Sequence, residues 1–233
     1  MEMILETLEN LRREAYVRAV IRKAEFDNVI GYVGENLPVE IFHAANLTPY
    51  PVYGIDREIL NFSVEKNICP LIDATVTYAK TDKCPLIHSS KLIVIGKTCP
   101  AMKQALQELK DKNIYVYDNE ENLISELKKF YSFDKFYGEI LYSIRQKLDE
   151  ISDYIETLHR QNFLITHDEK FTIKYFINFL DIDERMKFLN ELSEKLNEEK
   201  SFSRNKFVNL IHRCDLCKGD YLSLDGIFKE EDF

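Results

Sequence analysis

The chain of 233 residues carries 31 basic and 40 acidic side chains, a net charge of −9, with 45% hydrophobic and 12% aromatic residues. That is the makeup of a soluble globular protein built as one large domain, or as a compact domain with a helical appendage. The acidic balance argues against a general nucleic-acid or anionic-membrane surface, because both reward an excess of Lys and Arg.

The N-terminus reads Met-Glu-Met-Ile-Leu-Glu, with no basic start followed by an apolar stretch, so no secretory signal is expected. The longest apolar run, Leu92-Ile-Val-Ile-Gly96, suits a buried strand and falls far short of the ~20 residues of a membrane span. A cytoplasmic location is the simplest expectation.

In chain order, 3–23 is predicted to be a helix that covers one face or edge of a sheet. Strands are predicted at 28–33, 50–53, 92–96 and 113–117, from short runs rich in β-branched and aromatic residues. Between the first two, 38–46 fits a helix with Pro38 in its first turn. Between the last two, 100–109 fits another, with Met102, Ala105, Leu106 and Leu109 on one face. Strand–helix–strand units of this length imply parallel pairing with right-handed crossovers. The expected class is therefore α/β, a small open parallel sheet with helices on both sides.

The second half changes character. All six prolines lie between 38 and 100, and residues 118–233 carry a net −8 against −1 for 1–117. We read 1–117 as the α/β lobe and 118–233 as a mainly helical region. Asp118 with Glu121, Thr166 with Glu169 and Asp181 with Glu184 have the spacing of an N-cap and its third-position acid. Phe136, Ile140, Ile144, Leu148, Ile151, Ile155 and Leu158 predict one long helix, and Ile182, Met186, Leu189, Leu192 and Leu196 another. Both stripes read as core packing.

Five cysteines occur: Cys69, Cys84, Cys99, Cys214 and Cys217. An odd number without an export signal points away from a disulfide framework and toward metal or redox chemistry. The first three are evenly spaced and each precedes a proline: Cys69-Pro70, Cys84-Pro85, Cys99-Pro100. Proline fixes its own φ and removes a competing N–H, which holds the preceding thiol at a turn. Cys-Pro also closes a well-known iron–sulfur ligand run. Cys99 follows a predicted buried strand and is placed at a helix N-cap, where the free amides and the dipole favour a thiolate. The competing reading is that a cysteine packs as a small hydrophobe. Cys214-Asp-Leu-Cys217 is a single Cys-x-x-Cys pair: half of a zinc site with His212 nearby, a redox pair, a contribution to the same metal site, or an incidental helix end.

The stretches Val29-Ile-Gly-Tyr, Leu37-Pro-Val-Glu-Ile-Phe-His-Ala-Ala-Asn, Pro51-Val-Tyr-Gly, Cys69-Pro-Leu-Ile, Thr81-Asp-Lys-Cys-Pro and Ser89-Ser-Lys-Leu-Ile-Val-Ile-Gly-Lys-Thr-Cys99 together resemble the first lobe of the 2-hydroxyacyl-CoA dehydratase family. That family includes benzoyl-CoA reductase subunits and the double-cubane-cluster proteins. The resemblance covers about residues 25–120, and the helical region to about 210 loosely. It implies a flavodoxin-like lobe and a 4Fe-4S-type iron–sulfur cluster, with Cys69, Cys84 and Cys99 in the positions of first-lobe ligands. It also implies radical dehydration or reductive chemistry, a second dehydratase-type subunit or a second copy as partner, and an ATP-dependent activator protein as electron donor. The alternative is a non-catalytic single-lobe binding or assembly module that has lost the cluster.

Other candidates are weaker. His43 on the helix 38–46 could face a cluster pocket, His88 could support Cys84, and Glu40 reads as solvated. Dinucleotide, P-loop, serine-hydrolase and zinc-protease motifs are absent from the sequence.

Overall fold

A computed structural model describes residues 2–55, 57–63, 69–133, 138–161 and 167–198, and the short strands at 212–213 and 222–223. Helix α1 (Glu2–Glu25) leads into β1 (Val29–Val33), α2 (Val39–Ala44) and β2 (Thr48–Pro51). A 3-10 helix (Arg57–Phe62) precedes α3 (Pro70–Thr81) and α4 (Pro85–Ser89), then come β3 (Ile93–Ile95), α5 (Pro100–Gln107), β4 (Ile114–Val116) and α6 (Glu120–Phe130). The helical region follows as α7 (Gly138–Gln161), α8 (His167–Phe176), a 3-10 turn (Ile177–Phe179) and α9 (Ile182–Glu198). His212–Arg213 and Leu222–Ser223 form a small antiparallel pair.

The sheet is parallel with order β2-β1-β3-β4, the first four strands of a flavodoxin-type winding. Alternation sorts the side chains: Val29, Val33, Ile93 and Ile95 join the core that includes α1, α3, α4 and α5. Ile30, Leu92 and Val94 join the opposite core with Ile41 and Phe42 of α2 and Leu123 and Leu127 of α6. The expected α/β sheet with helices on both faces is therefore observed, followed by a helical region.

Some boundaries differ from expectation, each for a local reason. The second strand is Thr48–Pro51 and not 50–53, because its partners in β1 run from Val29 to Tyr32. It carries two prolines because it is an edge strand, with one side free of ladder bonds. Pro38 is the N-cap of α2. The cap of α6 is Asn119, whose side chain accepts from the Asn122 amide (2.9 Å). Asp118 instead accepts from the Tyr115 hydroxyl (2.5 Å) and the Asn119 amide (2.7 Å). In α7 the apolar stripe is buried only at Ile151, Ile155 and Leu158, while Ile140 is 46% exposed. Phe136 and Thr166 lie outside the described residues.

The helical region is held to the lobe from two sides. On the α2 side Arg145 of α7 pairs with Glu40 (2.9 Å) and Glu120 (3.2 Å). On the α1 side Arg18 donates to the Phe179 carbonyl (2.5 Å) and Arg22 pairs with Asp181 (3.4 Å). Among the described residues, no helix is long and apolar enough to cross a membrane.

Candidate functional site

The three Cys-Pro dipeptides have one structural consequence. Proline disfavours the helical region for the residue before it, so a helix that starts at proline cannot extend backward. Cys69, Cys84 and Cys99 are accordingly the N-caps of α3, α4 and α5, all with extended backbone. At α5 the Met102 amide donates to the Cys99 sulfur at 3.3 Å. At α3 the Cys69 carbonyl accepts the Ile72 and Asp73 amides (3.0 and 3.2 Å). The sequence pointed to an N-cap at Cys99; α3 and α4 were not predicted.

Cys99 follows the C-terminal end of β3. The chain leaves β1 toward β2 on one side and β3 toward β4 on the other, so the order reverses between β1 and β3. Ligands of open α/β sheets bind outside the carboxyl ends of strands at such a point. Here the two strand exits are tied together: Glu35 and Lys97 exchange backbone hydrogen bonds of 2.8 Å each. Gly34, at φ +97°, donates its amide to the Tyr53 hydroxyl at 2.7 Å. Burial pushes the Tyr53 phenol far above its ordinary value, against the opposing Gly34 amide and Thr98 hydroxyl.

Cys69 belongs to the same rim. Three residues beyond the end of β2, Gly54 donates its amide to Thr75 Oγ1 (2.9 Å) in the first half of α3. At the other end of α3, Asp82 pairs with Lys112, just before β4 begins. Helix α3 thus runs from the C-terminal rim to the N-terminal edge of the sheet, about 18 Å for twelve residues at 1.5 Å each. Helix α5 runs the same way from Cys99. Both helices pack on one core, with half-buried Cys69 and Cys99 against it.

Cys84 is placed differently. It lies two residues past Asp82, beyond the far end of α3, and is only 4% exposed. Burial raises its thiol pKa, and the Ile87 and Leu86 amides and the Arg12 charge offset this only in part. Among the described residues no three His, Cys, Asp or Glu side chains are gathered so as to hold a metal ion. Cys69 and Cys99 have the donor chemistry of iron ligands and are half-buried, whereas Cys84 is buried. Cys214 and Cys217 lie outside the described residues.

The remaining candidates separate as follows. His43 is buried enough that its pKa drops to about 3, by desolvation first and the Arg185 charge second. His88 is more than half exposed, near Asp82 (3.9 Å). Glu40 is engaged by Arg145. Tyr53 and Thr98 were missed by sequence reasoning; for Tyr53 the signal was the Val-Tyr-Gly after the strand, a glycine marking close backbone approach.

Residues 36–209 match the family described as 2-hydroxyglutaryl-CoA dehydratase, D-component. The chain belongs to this family. The match takes in all three Cys-Pro dipeptides. A protein of Escherichia coli (strain K12) described as "Putative dehydratase subunit YjiM" is 26% identical over 104 residues, covering 43% of this chain. The aligned part is 27% of that relative's length.

Proposed function

We propose that this D-component chain is the cluster-bearing subunit of a system that removes water from a 2-hydroxyacyl thioester, or carries out a related reduction. The observation that carries this reading is the pair of Pro-started helices whose N-cap thiols, Cys69 and Cys99, stand at one rim beside the switch point of the sheet. Thiolates are the iron ligands of such clusters, and a helix N-terminus lowers the cost of ionising them. The cluster, when bound, supplies one-electron chemistry and a Lewis-acid iron.

This chain's own residues do the rest. Cys69 and Cys99 are its ligands, and the Met102 amide stabilises charge on the Cys99 sulfur. The Tyr53–Gly34 bond and the Glu35–Lys97 bridge fix the strand exits beside them. The remaining ligands come from Cys214 and Cys217 or from a second subunit, and an activator protein delivers the electron. Cys84 acts as a packed thiol.

Anaerobic reconstitution with iron and sulfide is the test. The expected product is brown, with thiolate-to-iron absorbance near roughly 400 nm; a colourless product without iron contradicts the reading. One observation favours a second reading: no three-ligand group is gathered among the described residues. On that reading the chain is a single-lobe binding or assembly module without a cluster. It then takes up no iron while still co-purifying with a dehydratase-type subunit.

A further inference from the structure

Helix α1 is apolar on two opposite sides. At about 3.6 residues per turn, Leu8, Leu11, Ala15 and Ala19 share one side, and Val17, Val20, Ile21 and Ala24 share the other. The first side is buried in the core, where α1 meets α4, α8 and the Ile177–Phe179 turn. The second faces solvent: Val17 is 62% exposed, Val20 51% and Ile21 48%, and Ala24 is exposed as well. A helix that is apolar all round is ordinarily covered all round. Neighbouring exposed apolar side chains on a soluble chain mark a contact surface.

The exposed stripe complements itself in one orientation. Arg13, Val17, Val20 and Ala24 recur at three- and four-residue steps, the spacing of a coiled-coil seam. Two copies of α1 laid antiparallel about a two-fold axis between Val17 and Val20 set Val17 of each against Val20 of the other, with Ile21 alongside. The same axis brings exposed Arg13 over the small Ala24 of the second copy, in the last turn of its α1 and beside its exposed Glu25. A guanidinium there meets a carboxylate and the negative end of the helix dipole. A parallel pair instead sets Arg13 against Arg13 and Glu25 against Glu25, like charge facing like. Two helices touching over about three turns, with their flanking side chains, bury on the order of 1,000 Å² in total, the small end of specific interfaces. Such a dimer is reversible and forms in the micromolar range.

We infer that the outer face of α1 docks a second copy of this chain, antiparallel, as a two-fold contact in which the same patch serves both copies. No cysteine enters the contact, so it stands whether or not a cluster is bound.

Sedimentation equilibrium of the full chain, under reducing conditions and over a concentration series, tests this. The expected result is a reversible monomer–dimer equilibrium with a micromolar dissociation constant. Val20→Glu places a carboxylate at the centre of the contact and weakens the dimer at least about tenfold. The exposure of Val20 in the single chain leaves the unfolding midpoint of the dilute protein unchanged. Arg13→Glu reads the orientation: it weakens the antiparallel dimer about tenfold, and adding Glu25→Arg to the same chain restores it. A parallel pair responds to neither change, because like still faces like. If Val20→Glu does not fold, the Arg13 and Glu25 exchange decides alone. A chain that stays monomeric throughout the series overturns the inference, even where it binds a dehydratase-type subunit or lipid vesicles through α1. So does a dimer that folded Val20→Glu leaves at wild-type strength, or one that Arg13→Glu does not weaken.

Discussion

At Gly54 a single hydrogen atom in place of a side chain sets the distance between the β2 exit and α3. A Cβ there would stand 2.4 Å from the Ala74 carbonyl carbon and 2.5 Å from the Thr75 amide nitrogen. Both are backbone atoms, which cannot rotate away. Gly54→Ala is therefore expected to destabilise the chain by about 2 kcal/mol, in the range of overpacking changes, read as a lower urea midpoint. His43 makes a pH prediction at the same scale. Its folded pKa near 3 lies below the ordinary 6.5, so between these values the unfolded chain binds a proton that the folded chain does not. Stability should fall as pH drops through that window, by up to roughly 1.4 kcal/mol per pH unit, and be independent of this group above it. Urea unfolding at pH 7 and pH 5 measures the effect; His43→Gln should flatten that part of the slope.

At the scale of elements, α6 rests on a cap one residue later than the spacing of acids suggests. Asn119→Ala should cost about 1 kcal/mol, measured by chemical denaturation, because the Asn122 amide loses its acceptor. The alternating strands, the α5 stripe and the N-cap at Cys99 were legible because each rests on nearest-neighbour stereochemistry. Helices α3 and α4 were not read, though Cys69-Pro70 and Cys84-Pro85 carry the same N-terminal signature as Cys99-Pro100. The α7 stripe was read as buried throughout, yet periodicity says which residues share a face and not what covers them.

At the scale of the molecule, the winding of the sheet decides what the cysteines can do together. Even spacing along the sequence suggests one shared site, but α3 carries the chain from the C-terminal rim to the opposite edge between Cys69 and Cys84. The return through β3 brings Cys99 to the rim again. Two thiols therefore share an edge with the switch point, and the third is buried in the core. The match to the D-component family places these residues in a dehydratase context, and the proposed function divides their roles, with Cys69 and Cys99 as ligands and Cys84 as a packed thiol. Iron content per chain, determined by elemental analysis after anaerobic reconstitution of Cys69→Ser, Cys84→Ser and Cys99→Ser beside the wild type, tests this division most directly. Iron is expected in the wild type and in folded Cys84→Ser, and its loss in Cys69→Ser and Cys99→Ser. Undiminished iron in Cys99→Ser, or loss of iron in Cys84→Ser with its fold intact, would contradict it.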